Sequence, residues 1–152
     1  MNFNDVIKEI SFETFQDVMA VSPRKVREAL YAHYGVKPKG SSLLSALKDK
    51  KTQKVKSLHS ALKEAHSPKE LEFVKELFRN WLFHQRPLLK ATLDFLNVKN
   101  DNGLVETELD FFTKLTPTEV KNLVGHVKPN FAKDAILIYF TFVEVPEFKK
   151  YL

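Results

Sequence analysis

The sequence predicts an all-α protein, a single-domain irregular bundle of about six to eight helices. Apolar residues recur at the helical spacing along most of the chain. A Ser-Pro or Thr-Pro pair also precedes amphipathic sequence three times, at Ser22, Ser67 and Thr116. A Ser or Thr oxygen there accepts from a free backbone N–H, and Pro fits because its own missing N–H is not needed. Glu70 and Glu119 complete capping boxes at the second and third of these starts.

The helices of the N-terminal part have recognisable boundaries. Residues 4–21 carry apolar side chains at spacings that suit one or two short helices. A helix that begins at Pro23 should end at Gly35, because glycine adopts the left-handed conformation of a C-terminal cap. The next helix begins at Ser41 or Ser42 and keeps a helical period, although Lys51-Thr52 is a point where it could break in two.

The clearest amphipathic stripe of the chain begins at Pro68. Since proline does not fit deep inside a helix, a new one should begin at Pro87 and run to about Leu96. After the turn signal Asn100–Gly103 we expect a short helix around residues 106–114, and another after Thr116. Residues 131–143 favour a strand by propensity. No second strand is visible to pair with them, so we expect a buried helix.

The length and composition fit one globular domain over residues 1–152. The chain has no cysteine, which suits a reducing compartment, and its first ten residues do not look like a secretory signal. Its longest apolar stretch has nine residues, whereas a membrane span needs about twenty. We therefore expect a soluble, cytoplasmic protein without a membrane span.

The three Ser/Thr-Pro starts are 45 and 49 residues apart, and each is followed by a second helix. This spacing lies in or near the range of helical-hairpin repeats. The three units differ in loop length and apolar pattern, however, so an irregular bundle is favoured over a repeat.

Positive charge is concentrated between Arg24 and Lys63. That segment carries eleven basic residues and two acids, a net charge of +9 in a chain whose total is +5. It includes a run of lysines: Lys37, Lys39, Lys48, Lys50, Lys51, Lys54, Lys56 and Lys63. Clustered lysines can bind phosphates or another acidic surface, although a solvated helix face is the commonest reason for such a run.

The lysine run lacks two kinds of side chain that nucleic-acid-binding proteins use. No Phe, Tyr or Trp lies between Gly35 and Glu72, so unpaired bases have no such ring to stack on. The run also contains no arginine, the side chain that best contacts guanine. If the segment binds nucleic acid, we expect contacts to the duplex backbone without sequence preference.

A second candidate site lies around the predicted end of the Pro68 helix. The only tryptophan of the chain is found there with a histidine and two arginines, and these four residues could line a pocket: Arg79, Trp81, His84 and Arg86. The competing interpretation is that Trp81 and Phe83 anchor the core while the arginines pair with acids such as Glu76 or Asp94.

The sequence gives little support for metal binding or catalysis. No histidine pair has the spacing of a helical zinc motif, and the acidic residues after Asn100 do not fit a calcium loop. Familiar catalytic motifs are missing, and we expect no metal and no cofactor. Whether the chain is an enzyme stays open, and the sequence favours that it is not.

The sequence thus favours a non-enzymatic helical interaction module whose partner is a macromolecule. That partner could be an acidic one bound through the lysine-rich segment. The first alternative is a duplex nucleic-acid-binding protein without sequence preference, and the second is a small-molecule or catalytic pocket near Trp81.

Overall fold

The computed structural model describes residues 3–35, 44–64, 67–106 and 108–152, and for residues 44–51 it describes the backbone alone. This part of the chain forms eight α-helices and no strand, which confirms the all-α prediction. The helices are α1 (Phe3–Glu9), α2 (Phe12–Val21), α3 (Arg24–His33), α4 (Leu44–Lys63), α5 (Pro68–Leu82), α6 (Arg86–Phe95), α7 (Pro117–Val127) and α8 (Lys133–Phe142). Two short 3₁₀ helices span Asp110–Lys114 and Phe148–Tyr151.

The last α-helix lies at the centre of the bundle. Every residue of α8 from Ala135 to Thr141 is buried, and the helix packs against α1, α5 and α6. Because neighbours surround it, its sequence is apolar on all sides rather than amphipathic. This explains why residues 131–143 resemble a strand by propensity, and it confirms the predicted buried helix.

Helix α5 joins the two ends of the chain into one core. It packs against α1, α2, α3 and α8. The interior is rich in phenylalanine, as five of these side chains are fully buried: Phe15, Phe78, Phe112, Phe140 and Phe148. None of the described helices has the length and apolar character that crossing a bilayer requires.

Helices begin at all three predicted starts, and two of them are capped as expected. The hydroxyls of Ser67 and Thr116 accept from the backbone N–H groups of Glu70 and Glu119, and both glutamates complete capping boxes. The capping predicted for Ser22 is wrong. Its hydroxyl donates to the carbonyl oxygen of Val18 at 2.7 Å, so this side chain serves the end of α2. Helix α3 begins at Arg24 without a side-chain cap.

Two further boundaries differ from the predictions. Helix α4 continues through Lys51-Thr52 without a break. The helix expected over residues 106–114 is limited to a 3₁₀ helix from Asp110 to Lys114. Neither a cap nor an uninterrupted apolar stripe is present there to support a full α-helix.

The loop after α6 packs closely against the start of that helix. Gly103 has a φ of +83°, and a Cβ at this position would lie 2.8 Å from the Cβ of Leu89. The side chain of Asn100 supports the loop, since its Oδ1 accepts from the Gly103 N–H at 2.9 Å. Its Nδ2 donates to Asp94 at 2.9 Å. The loop thereby becomes one wall of the site described next.

Candidate functional site

A cavity of about 170 Å³ opens to the surface where the end of α5, the start of α6, the loop around Gly103 and helix α8 meet. Its lining is almost entirely apolar. The residues that line it are Arg79, Leu82, Phe83, Leu89, Leu93, Gly103, Leu104, Val105, Leu109, Tyr139, Phe142 and Val143. Half-open apolar cavities of this kind are typical of ligand and side-chain binding sites.

Two large apolar side chains at this cavity remain in contact with solvent. Phe83 is 51% exposed and Leu104 is 42% exposed. Phe83 was expected to anchor the core, and that expectation is wrong. Helix α5 ends at Leu82, and Phe83 follows as its C-terminal cap residue. An exposed phenylalanine beside an exposed leucine gives the cavity an apolar rim.

Arginine side chains accompany this rim. The guanidinium of Arg86 lies 5.5 Å from the centroid of the Phe83 ring, a cation–π arrangement. Arg79 precedes Phe83 by four residues and lines the cavity itself. No carboxylate among the described residues lies within ion-pair distance of either arginine. The rim therefore combines apolar surface with two positive charges that are not neutralised locally.

One nitrogen of Arg86 is also buried without a hydrogen bond. Its Nη1 is inaccessible to solvent and meets no acceptor. Asp94, one of the acids expected to pair with these arginines, instead binds Lys90 and Asn100. These two contacts lower the pKa of Asp94. A buried donor without an acceptor is costly, and because solvent does not reach Nη1, only the other guanidinium nitrogens of Arg86 can meet an anionic group.

Tyr139 supplies a polar group to the same cavity. Its side chain is almost completely buried on α8, and burial raises the pKa of its hydroxyl well above the ordinary value. The hydroxyl therefore stays protonated and able to donate. No described residue forms a hydrogen bond with it. Because the hydroxyl oxygen itself keeps some contact with solvent, it can donate to a group that enters the cavity.

The four pocket residues predicted from sequence are not all brought together. Arg79 lines the cavity, and Arg86 lies at its rim through Phe83. Trp81 is buried in the core and does not line the cavity, and His84 is exposed and does not line it either. Tyr139 and Leu104 also line the cavity but were not predicted from the sequence, because no local pattern indicates contacts between distant elements.

The lysine-rich segment is described in part. Lys37 and Lys39 lie outside the described residues, and Lys48, Lys50 and Lys51 belong to the region of α4 where the backbone alone is described. Lys56 is exposed, with its Nζ 5.7 Å from the centroid of the Phe12 ring, whereas Lys54 and Lys63 are half-buried. Ion pairs between these last three lysines and carboxylates are not found in the described part of the chain.

A second cavity, of about 390 Å³, has an acidic character instead. It lies near the C-terminus, where Glu144 and Glu147 line it together with Phe3 and Phe148. Glu147 pairs with Lys150, and this contact lowers the pKa of its carboxyl. None of the residues singled out from the sequence lies in this cavity.

The structure thus defines an all-α protein with an apolar, arginine-flanked cavity between α5, α6 and α8. Across the described residues, no group of three or more His, Asp or Glu side chains could hold a metal ion. Comparisons of the chain with protein-family models, with characterised proteins and with solved structures gave no match.

Proposed function

We propose that this chain is a non-enzymatic helical interaction module that binds an acidic segment of a partner protein. The observation that carries this proposal is the joint presence of exposed Phe83 and Leu104 with two arginines that have no carboxylate partner in the described structure. Exposed apolar residues beside aromatic and arginine side chains are typical of interaction surfaces. The positive charge favours an acidic partner.

Selection from a library of random twelve-residue peptides tests the proposal directly. Wild-type protein should enrich peptides rich in Asp and Glu. Their binding should fall at least tenfold in a double variant, Arg79→Glu with Arg86→Glu, because removing charge-assisted contacts costs this much or more. Circular dichroism and urea unfolding of the variant would confirm that it is folded.

A matched charge reversal on another face controls for net charge. Lys121 and Lys128 are exposed on and just after α7, and neither lines the cavity. The variant Lys121→Glu with Lys128→Glu carries the same charge change and should keep the binding. Selected peptides without acidic enrichment, or equal losses in both variants, would contradict the proposal.

Binding of duplex nucleic acid is a second candidate, favoured by the lysines of α4. Lys54 is half-buried and Lys56 is exposed on that helix, and neither has a carboxylate partner among the described residues. This candidate predicts duplex affinity that falls steeply with salt, and a shallower salt dependence when Lys48, Lys50, Lys51 and Lys54 are replaced by Glu. Duplex affinity that is unchanged in both tests would exclude it.

A further inference from the structure

Resting on the proposed function, we infer that one phenylalanine ring of the acidic segment enters the cavity, with a neighbouring carboxylate of that segment held by Arg79 and Arg86. Three properties of the cavity support this occupant: its size, the chemistry of its walls and the positions of its polar groups.

The size of the cavity suits a single ring. Its volume is about 170 Å³. An apolar cavity of roughly 150 Å³ is large enough to bind benzene. A lysine or glutamate side chain would leave its charge in an apolar space, at a large cost. A phenyl ring gains free energy from the same transfer.

The walls of the cavity also suit an aromatic ring. Leu82, Leu89 and Leu93 supply aliphatic surface, and Phe83 and Tyr139 supply aromatic surface. Aromatic rings favour one another in offset or edge-to-face contacts beyond the area that they bury. Since Phe83 is half exposed at the rim, a ring that enters the cavity covers it.

The polar groups at the cavity indicate which chemical groups of the bound segment lie beside the ring. Arg79 lines the cavity, and the guanidinium of Arg86 lies over the Phe83 ring at its rim. A carboxylate beside the ring can accept from them in a bidentate manner. The Tyr139 hydroxyl, which lacks a partner among the described residues, can donate to a carbonyl oxygen of the bound backbone.

The test uses a fluorescein-labelled peptide that has one phenylalanine between two pairs of acidic residues, with binding measured by fluorescence anisotropy. Replacing the phenylalanine of the peptide by alanine should weaken binding about tenfold or more, as expected for burying one ring. Replacing the acidic residues by their amides should weaken binding by a similar factor. In the protein, Tyr139→Phe should weaken it about three- to tenfold, because one hydrogen bond is lost.

The possible results separate the inference from the proposed function. Equal affinity for the phenylalanine and alanine peptides, with binding still lost in the Arg79→Glu, Arg86→Glu variant, would overturn the ring occupant and keep the acidic partner. Peptide binding that is insensitive to both arginines would overturn the proposed function as well. If 3-phenylpropionate binds as tightly as the peptide, the site takes a small carboxylate, and the peptide occupant is wrong.

Discussion

The guanidinium of Arg86 lies over the ring of Phe83, 5.5 Å from the ring centroid, at the turn between two helices. Phe83 directly follows the last residue of α5, and Arg86 is the first residue of α6. The ring of Phe83 is half exposed. A cation over an exposed ring stabilises the fold by about 0.5–1 kcal/mol at most. The Arg86–Phe83 pair therefore contributes little to the free energy of unfolding. Its main effect is to place a positive charge and an apolar ring side by side at the surface.

Neighbouring aromatic residues should consequently differ in their effect on stability. Phe83→Ala should lower the free energy of unfolding by less than about 1 kcal/mol, since the side chain is 51% exposed. Trp81→Ala should lower it by about 3–5 kcal/mol, because Trp81 is only 6% exposed and its removal leaves a void in the core. Urea unfolding measures both changes, and similar losses would contradict the assigned positions of the two rings.

Two glycines provide a matched test of the cavity wall. Gly103→Ala should lower the free energy of unfolding by about 1–3 kcal/mol, because its φ is +83° and the added Cβ would lie 2.8 Å from that of Leu89. Gly125→Ala, inside α7, should raise it by up to about 1 kcal/mol, since nothing lies within 4 Å of the added Cβ. Thermal unfolding compares them, and a stabilising Gly103→Ala would show that the loop is not held against α6.

Acid should destabilise the protein through His59. Its ring is buried and stacked on Phe15, with 4.5 Å between ring centroids, and its Nε2 lies 3.3 Å from the carbonyl oxygen of Ile7. Burial, reinforced by the nearby charge of Lys63, lowers the pKa of His59. The folded protein then binds fewer protons than the unfolded chain, so the free energy of unfolding falls as the pH drops through about 6.5.

Urea unfolding at pH 7.5, 6.5 and 5.5 measures this effect. In His59→Leu, which cannot take up a proton, the decline on acidification should be smaller than in the wild type. His84→Gln replaces an exposed histidine and serves as the control. Parallel pH profiles for wild type and His59→Leu would rule out His59 as the source of acid sensitivity.

The two capping boxes should each contribute measurably to stability. Ser67→Ala and Thr116→Ala remove an oxygen that accepts from the N–H of Glu70 and Glu119 respectively. Each substitution should lower the free energy of unfolding by about 0.5–2 kcal/mol. The control is Ser60→Ala, an exposed site inside α4, where alanine should be neutral or slightly stabilising. A loss at Ser60 equal to that at Ser67 would argue against capping as the cause.

Much of the fold was predictable because its signals are local. Ser67 and Glu70 lie three residues apart, and the apolar stripe of α5 is visible within fifteen residues. Ser22 shows the limit of such reasoning. It has the same Ser-Pro context, but its hydroxyl bonds to the preceding helix, a choice that depends on how α2 and α3 meet. Helix α8 could be predicted only by considering the whole chain, because its residues favour a strand and no second strand is visible to pair with them.

The candidate site was predictable only in part, for the same reason. Arg79 and Arg86 were noticed because they flank the sequence around Trp81. The cavity itself forms from α5, α6, α8 and a loop, and its Tyr139 lies 60 residues beyond Arg79 in the sequence. The exposure of Phe83 follows from where α5 ends and how the next helix leaves it. Such contacts between distant elements have no local signature.

A titration of ¹⁵N-labelled protein with the acidic phenylalanine peptide, followed by two-dimensional NMR, shows directly whether the cavity binds the peptide. We expect the largest chemical-shift changes on amides around the cavity, namely those near Phe83, Gly103 and Tyr139. They should disappear in the Arg79→Glu, Arg86→Glu variant. Changes centred on α4, or no changes at millimolar peptide, would contradict binding at the cavity.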